Sequence, residues 1–200
     1  MHLSPGEARR LGKRARASLT EQQRAHCSRM ICANIAKHPW FINARTVAVY
    51  LAGATEANLD DLLQIALHDN KIVLVPVIGG PHRMHFQRVT AHTRWRINDY
   101  GLREPMVVSR YANRYEDARI FDVVCVPLTA FDAQFNRVGM GGGYYDRYFA
   151  APKKRRFTRL LGVGFSTQRT ARIKANRWDV TMHAIATEQC IKQRTASSTV

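Results

Sequence analysis

At 200 residues and 46% hydrophobic side chains, the chain can bury one sizeable core and has the composition of an ordinary globular protein. Its 31 Lys and Arg against 15 Asp and Glu give a formal charge of +16, which calls for polyanionic partners: nucleic acid, or a nucleotide together with a polycarboxylate. No apolar run is long enough to span a bilayer, and four scattered cysteines without a CxxC pair exclude a disulfide framework.

Residues 5–17, rich in Arg and Ala, predict a partly exposed helix with cations available to a ligand. The start is basic and polar, without the apolar segment of a signal peptide. Residues 9–16 hold five basic side chains, as a transit peptide can, but Glu7 and the immediate onset of domain-like sequence argue against one. The expected compartment is the cytoplasm.

Thr20-Glu-Gln-Gln23 fits a capping box, and the helix it opens is expected to run to about His38, before Pro39. Cys27, Met30, Ile31 and Ile35 are its expected apolar face. Thr46–Leu51 reads as a first strand, and Gly53–Asn58 as a turn whose Asn58 caps the next helix. Leu59, Leu62, Leu63, Ala66 and Leu67 then form an unbroken helical stripe, and Lys71–Pro76 is a second strand. Strand, helix and strand at this spacing make a right-handed βαβ unit.

Residues 84–89 alternate like a half-exposed strand, whereas 90–120 carry little pattern beyond the turn-like segment Tyr100–Pro105. His82-Arg-Met-His85 follows a Gly-Gly-Pro turn and suggests no metal site. Phe121–Pro127 is a nearly continuous apolar run of the kind a buried parallel strand shows. A helix from Gly143 to about Ala150, a strand at 160–165 and a short last strand at 184–187 complete the pattern, with the basic run 153–156 as a solvated loop. One α/β domain over residues 1–200 is expected, frayed at 1–4 and 194–200.

The densest segment is Arg137-Val-Gly-Met-Gly-Gly-Gly-Tyr-Tyr-Asp146. Four glycines suggest conformations or close approaches that side chains prevent, and consecutive amides at a helix entrance attract phosphate oxygens. Arginine adds a fixed cation, and aspartate can hold the hard metal ion that accompanies a nucleotide. A plain surface loop would also explain the glycines, and neither a Walker A loop nor a dinucleotide fingerprint is present. The position after a buried strand favours the ligand-binding reading, because open α/β sheets bind ligands beyond their strand ends.

Phe121-Asp-Val-Val-Cys-Val-Pro-Leu-Thr-Ala-Phe-Asp132 followed by Asn136-Arg-Val-Gly-Met-Gly-Gly-Gly-Tyr-Tyr-Asp-Arg147 closely resembles the signature of the 5-formyltetrahydrofolate cyclo-ligase family. The basic first helix, Tyr50-Leu51 followed by Glu56, Leu102-Arg-Glu-Pro105 and Trp178-Asp179 extend the likeness over about residues 9–190. The resemblance implies a Rossmann-like three-layer α/β domain with a mainly parallel sheet, similar to the ribose-phosphate isomerase and CoA-transferase group. It also implies a reaction in which ATP and 5-formyltetrahydrofolate give 5,10-methenyltetrahydrofolate, ADP and phosphate, with Mg2+ as cofactor. The formyl oxygen takes the γ-phosphoryl group and the folate's own N10 displaces phosphate, so no nucleophilic triad is needed, and none is visible.

By the same resemblance, Arg137 and Asp146 carry the catalysis. The ATP loop comprises Arg137, Val138, Gly139, Met140, Gly141, Gly142, Gly143, Tyr144 and Tyr145, with Arg9 reaching in from the first helix. Met140, Gly141, Gly142, Gly143 and Tyr144 also touch folate, whose pocket adds Leu51 and Glu56. Asp146 and Asp179 match magnesium-linked acids, although Asp146 also suits the first turn of a helix and Asp179 passes for an ordinary polar residue. The family's N-terminal lysine position falls on Pro5, leaving Arg10 or Lys13 as substitutes, and Gly142 stands where some members carry lysine. The expected state is a monomer. Nucleic acid enters only through non-specific electrostatics, its usual motifs being absent; the competing reading is a basic nucleic-acid-binding α/β protein without turnover.

Overall fold

The computed structural model describes residues 2–98, 101–106, 114–115, 118–151 and 157–195. The basic run at 153–156, Tyr100 and residues 196–200 of the tail lie outside the described residues.

Helix α1 (Pro5–Ala17) opens on a capping box between Ser4 and Glu7, and α2 (Glu21–Ala36) on the expected box between Thr20 and Gln23. Residues 3 and 4, expected to fray, are held: Leu3 bridges to Ile173 and Ser4 caps α1. A short helix α3 (Pro39–Ile42) follows, where proline at the first turn stops α2 and starts the next element. Ile31 and Ile35 of the expected face of α2 are fully buried and Cys27 packs against the core, whereas Met30 is exposed and Ser28 and Cys32 are buried instead. The hydroxyl of Ser28 accepts the amide of Asn58, which gives this polar residue a reason to face inward.

Strands β1 (Thr46–Ala48), β2 (Ile72–Ile78), β7 (Val123–Pro127), β10 (Arg159–Val163) and β11 (Ala184–Ala186) are parallel. Between them in sequence come β3 (Met84–Val89), the hairpin β4 (Trp95–Ile97) and β5 (Arg103–Pro105), and the short β6 (Arg114–Tyr115). With β12 (Ile191–Gln193), β3 and β6 complete an eight-stranded sheet ordered β12-β11-β10-β7-β1-β2-β3-β6, antiparallel only at its flanks. The fold is therefore α/β with a mixed, mainly parallel central sheet.

Alternation along the strands divides the core between two faces. Val47, Val73, Val123, Cys125, Leu161 and Ala184 face one side, where α2 and α4 (Asp60–His68) pack. Ala48, Leu74, Val124, Val126, Leu160 and Ile185 face the other, against an aromatic cluster of Phe86, Phe121 and Phe149. Each of these large side chains, fully buried, contributes roughly 1.5–3 kcal/mol. The stripe of α4 sits as expected, but its N-cap is Leu59 and not Asn58, which stands one residue earlier and accepts the amide of Asp60 at 2.7 Å.

From β1 the chain moves outward to β2 through α4 on the first face. From β7 it moves the other way to β10, through α5 (Tyr144–Tyr148), whose aromatic residues belong to the second face. This reversal opens a crevice at the carboxyl ends of β1 and β7, where open sheets bind ligands.

Candidate active site

One cavity of about 720 Å³ occupies that crevice, a volume within the usual range of small-molecule sites. Its floor comes from strand ends: Tyr50 and Leu51 after β1, Ile78 of β2, and Pro127 at the end of β7 with Leu128 and Thr129 after it.

The glycine loop forms one wall, and its first two residues are not loop at all. Ala130–Phe131 (β8) and Arg137–Val138 (β9) form a two-stranded hairpin missed in the sequence. Its turn is built on buried Asp132, which accepts the amides of Gln134, Asn136 and Ile173 and the side-chain amide of Asn136. The hairpin launches Arg137 toward the cavity. Gly141 at φ 114° and Gly143 at φ 63° then turn the chain into α5, in a region where a side chain is strained. Gly143 is the N-cap, and no side chain caps the helix it opens.

Two arginines tie down loop carbonyls. Arg9 Nε donates to Gly139 O at 2.8 Å, and Arg147 Nη1 to Gly142 O at 2.6 Å. Both guanidinium groups line the cavity. Arg147 lies against Gly143, beside the position where the resemblance suggested a lost lysine. Pro5 lines the cavity as well, whereas Arg10 and Lys13 are exposed outside it.

Arg137 is almost wholly buried, and its Nη2 donates to Asp146 Oδ1 at 3.0 Å. The same oxygen accepts the amide of Val180 at 3.0 Å. Asp179, the neighbour of Val180 in sequence, accepts the backbone and side-chain amides of Asn176 on Oδ2. The second oxygen of each carboxylate has no partner among the described residues. Both acids line the cavity. Carboxylates with an unpartnered oxygen are the donor type that magnesium takes, with water and substrate oxygens completing its shell. Among the described residues no cluster of three such side chains forms a metal centre by itself.

On the opposite wall, Glu56 Oε2 accepts the amide of Gly53 at 3.0 Å, and its Oε1 faces buried Arg16 Nη1 at 3.4 Å. Arg16 also reaches Met140 Sδ at 3.9 Å, and Thr129 Oγ1 approaches the same sulfur at 3.5 Å. Arg16 thus joins the Glu56 turn to the glycine loop, a role no sequence pattern disclosed. The β4–β5 hairpin closes the rim: buried Glu104 holds Arg96 and Asn98, and Asn98 in turn accepts the amide of Leu102.

Arg9, Leu51, Glu56, the 137–146 loop and Asp179, the site residues expected from the sequence, all line this cavity. Burial pushes the hydroxyls of Tyr50 and Tyr145 far above the usual tyrosine range, with the Glu56 carboxylate adding to the effect. Tyr50 donates to Ala57 O at 2.8 Å.

An open α/β sheet with arginines, uncapped helix amides and two carboxylates at its switch point defines a small-molecule enzyme of the kind that handles anions. Residues 5–188 match the model of the 5-formyltetrahydrofolate cyclo-ligase family. The chain is 27% identical over 175 residues to the 5-formyltetrahydrofolate cyclo-ligase of Haemophilus influenzae, covering 86% of this chain and 91% of that one. The Escherichia coli K12 protein of the same name is 26% identical over 177 residues, covering 88% and 95%. Among solved structures, the 5,10-methenyltetrahydrofolate synthetase of Aquifex aeolicus superposes with a TM-score of 0.81 at 27% identity, over 97% of this chain and 95% of that one. That of Mycoplasma pneumoniae, at 19% identity and a TM-score of 0.69 over 92% and 98%, shares the fold.

The chain belongs to the 5-formyltetrahydrofolate cyclo-ligase family. It is a ligase of folate one-carbon metabolism, and the family's reaction converts 5-formyltetrahydrofolate to 5,10-methenyltetrahydrofolate. Membership of the family implies the use of ATP. Among the described residues, no helix is long and apolar enough to cross a membrane.

Proposed function

We propose that this chain closes the folate ring by phosphorylating the formyl oxygen of 5-formyltetrahydrofolate with ATP, within the single cavity at the β1–β7 crevice. The observation that carries the proposal is the sharing of one cavity by two chemically different walls: the glycine loop with its arginines, and the Leu51–Glu56 turn. A formamide oxygen is a poor leaving group, and transfer of the γ-phosphoryl group turns it into phosphate. The formyl oxygen attacks the γ-phosphorus and ADP departs, leaving an iminium phosphate at N5. N10 then adds to the formyl carbon, the carbon–oxygen bond breaks, phosphate leaves with its electron pair, and N10 loses its proton.

The nucleophiles belong to the substrate, so the protein positions groups and offsets charge. The amides of 139–143 and the cations of Arg9, Arg137 and Arg147 face the triphosphate. Arg147 supplies the cation that Gly142 lacks. Glu56, held by Gly53 and Arg16, accepts the pterin's N–H groups, while Leu51 and Met140 give its ring apolar walls. Magnesium held by Asp146 and Asp179 would neutralise phosphate charge.

The test is direct. Purified protein with ATP, magnesium and 5-formyltetrahydrofolate is expected to generate the near-ultraviolet absorbance of the methenyl product together with stoichiometric ADP. Product formation at the same rate without ATP would overturn the mechanism.

A further inference from the structure

The amides, arginines and carboxylates of the glycine-loop wall suit phosphates and a metal, but none of them covers a purine, which needs a flat apolar surface. Among the described residues, two exposed large hydrophobic side chains line the cavity: Met140, 57% accessible, and Trp178, 61% accessible. Met140 is committed, its sulfur lying against Arg16 and Thr129. Tyr144 lines the cavity too, yet its ring packs onto Gly142, where a Cβ would lie 2.6 Å from the ring. Trp178 is the aromatic surface left open. Tryptophan is usually far more buried than this, and the indole of Trp178 belongs to none of the three core clusters. Arg177, with Cζ 6.0 Å from the centroid, lies over one face of the ring.

The backbone around it fixes which substrate the ring meets. Trp178 directly precedes Asp179, and Val180 donates its amide to Asp146 Oδ1 at 3.0 Å. Asp146 is bonded in turn to Arg137. The segment is thereby fastened to the glycine loop, the wall that faces the triphosphate in the proposed mechanism. The opposite wall has its own apolar lining for folate in Leu51, Ile78 and Leu102. We propose that Trp178 is a specificity-determining residue whose indole is the platform on which the purine base of the nucleotide stacks, on the face away from Arg177. The inference rests on the ATP-dependent reading and gives the base a seat which that reading leaves open.

Stacking depends on flat apolar area and not on matched donors and acceptors. It therefore helps to hold the nucleoside and leaves the phosphates to the loop amides and arginines. A ligand with the base and one without it should respond differently to loss of the ring, and a smaller aromatic ring should restore much of what alanine loses.

The experiment is titration calorimetry of the parent, Trp178→Ala and Trp178→Phe with ADP and with pyrophosphate, each with magnesium. The Kd for ADP is expected to rise on the order of tenfold in Trp178→Ala and by under about threefold in Trp178→Phe, while that for pyrophosphate moves by less than about twofold in both. In turnover, the KM for ATP should follow ADP, with the KM for 5-formyltetrahydrofolate within about twofold of the parent. The melting temperature should stay within about 1 °C, the side chain being largely exposed. ADP is also expected to quench the tryptophan emission of the parent more than that of Trp178→Phe, which keeps only Trp40 and Trp95. A Trp178→Ala protein that binds ADP like the parent, or that loses pyrophosphate as strongly as ADP, would overturn the assignment. A rise in the KM for folate with ADP binding intact would overturn it as well, by giving the ring to the aminobenzoyl group. A parent that binds neither ADP nor pyrophosphate would instead remove the nucleotide wall itself, so the two failures are distinct.

Discussion

Gly12 offers a test in which two well-known effects oppose each other. It lies within α1, where replacing glycine by alanine ordinarily stabilises a helix by about 1 kcal/mol. Here a Cβ would lie 2.0 Å from the carbonyl oxygen of Thr129, 2.8 Å from its carbon and 2.9 Å from Ala130 Cβ. The carbonyl has no freedom to swing away. It accepts Gln168 Nε2 at 2.7 Å, and the amide of Thr129 donates to Val138 O at 2.7 Å. The helix must therefore move by roughly 1.4 Å to restore ordinary contact. Overpacking of this kind costs about 1–3 kcal/mol. The shift also stretches the 2.8 Å bond from Arg9 to Gly139 beyond reach, and a hydrogen bond from a charged group is worth about 1.5–3 kcal/mol.

After subtracting the gain in helix propensity, Gly12→Ala is expected to destabilise the protein by about 3 kcal/mol, or roughly 6–12 °C in melting temperature for a chain of this size. Thermal unfolding followed by circular dichroism reads the first effect. Steady-state kinetics read the second, because α1 carries both Arg9 and Arg16 to the cavity: KM for ATP and for folate should rise together. A variant as stable as the parent, or more stable, would refute the reasoning, since helix propensity would then have outweighed the contact.

Arg147→Ala is expected to raise KM for ATP by about tenfold while moving the melting temperature by under about 2 °C, the residue being exposed and bonded to one carbonyl; titration calorimetry with ADP checks the binding loss. Chelation with EDTA should abolish turnover and leave the melting temperature within about 1 °C, because Asp146 already has Arg137 and the amide of Val180 as partners. Native thiol labelling near pH 8 should spare Cys32, whose thiol burial pushes up to about 11, and Cys125, raised further still; both are expected to react on unfolding. The sign of the linked pH effect follows: these thiols ionise more readily when unfolded, so their contribution is intact below about pH 9 and lost as pH rises toward 11, and denaturant midpoints should fall over that interval.

Much of this was legible in the sequence because apolar runs carry it. Val47, Val73, Val123 and Leu161 lie in runs that make sense only as buried strands, and the α4 stripe needs no tertiary information. The β8–β9 hairpin was not legible, since each strand has two residues and its register depends on the buried carboxylate of Asp132. Strands β4, β5 and β12 are short and mostly polar, and pairing, not hydrophobic pattern, defines them. In the site, the glycine loop announced itself by composition. Arg16 did not: its meaning comes from Glu56, forty positions on. Arg147 left a weak signal, a basic residue in the helix directly after glycines that lack a lysine. The bond between Arg137 and Asp146 has no signature in spacing at all, although both residues stood out individually.

The two part-buried ion pairs argue for a site organised before ligands arrive. Arg137–Asp146 joins the two ends of the glycine loop, and Arg16–Glu56 joins α1 to the turn after β1. Relative to apolar side chains of similar size, buried pairs contribute little net stability, whereas removing one partner costs about 3–5 kcal/mol. Stability alone therefore does not account for placing four charged side chains in this crevice. Much of their desolvation is borne on folding, so that arginine and carboxylate meet the ligands already aimed, and less is lost at binding. The same logic resolves an apparent conflict in the loop. Four glycines should make it floppy, yet its first strand hangs on the Asp132 turn, its ends are joined by Arg137 and Asp146, and two of its carbonyls are held by Arg9 and Arg147. The glycines permit the turns at positive φ, and the surrounding charged side chains remove the freedom that glycine would otherwise leave.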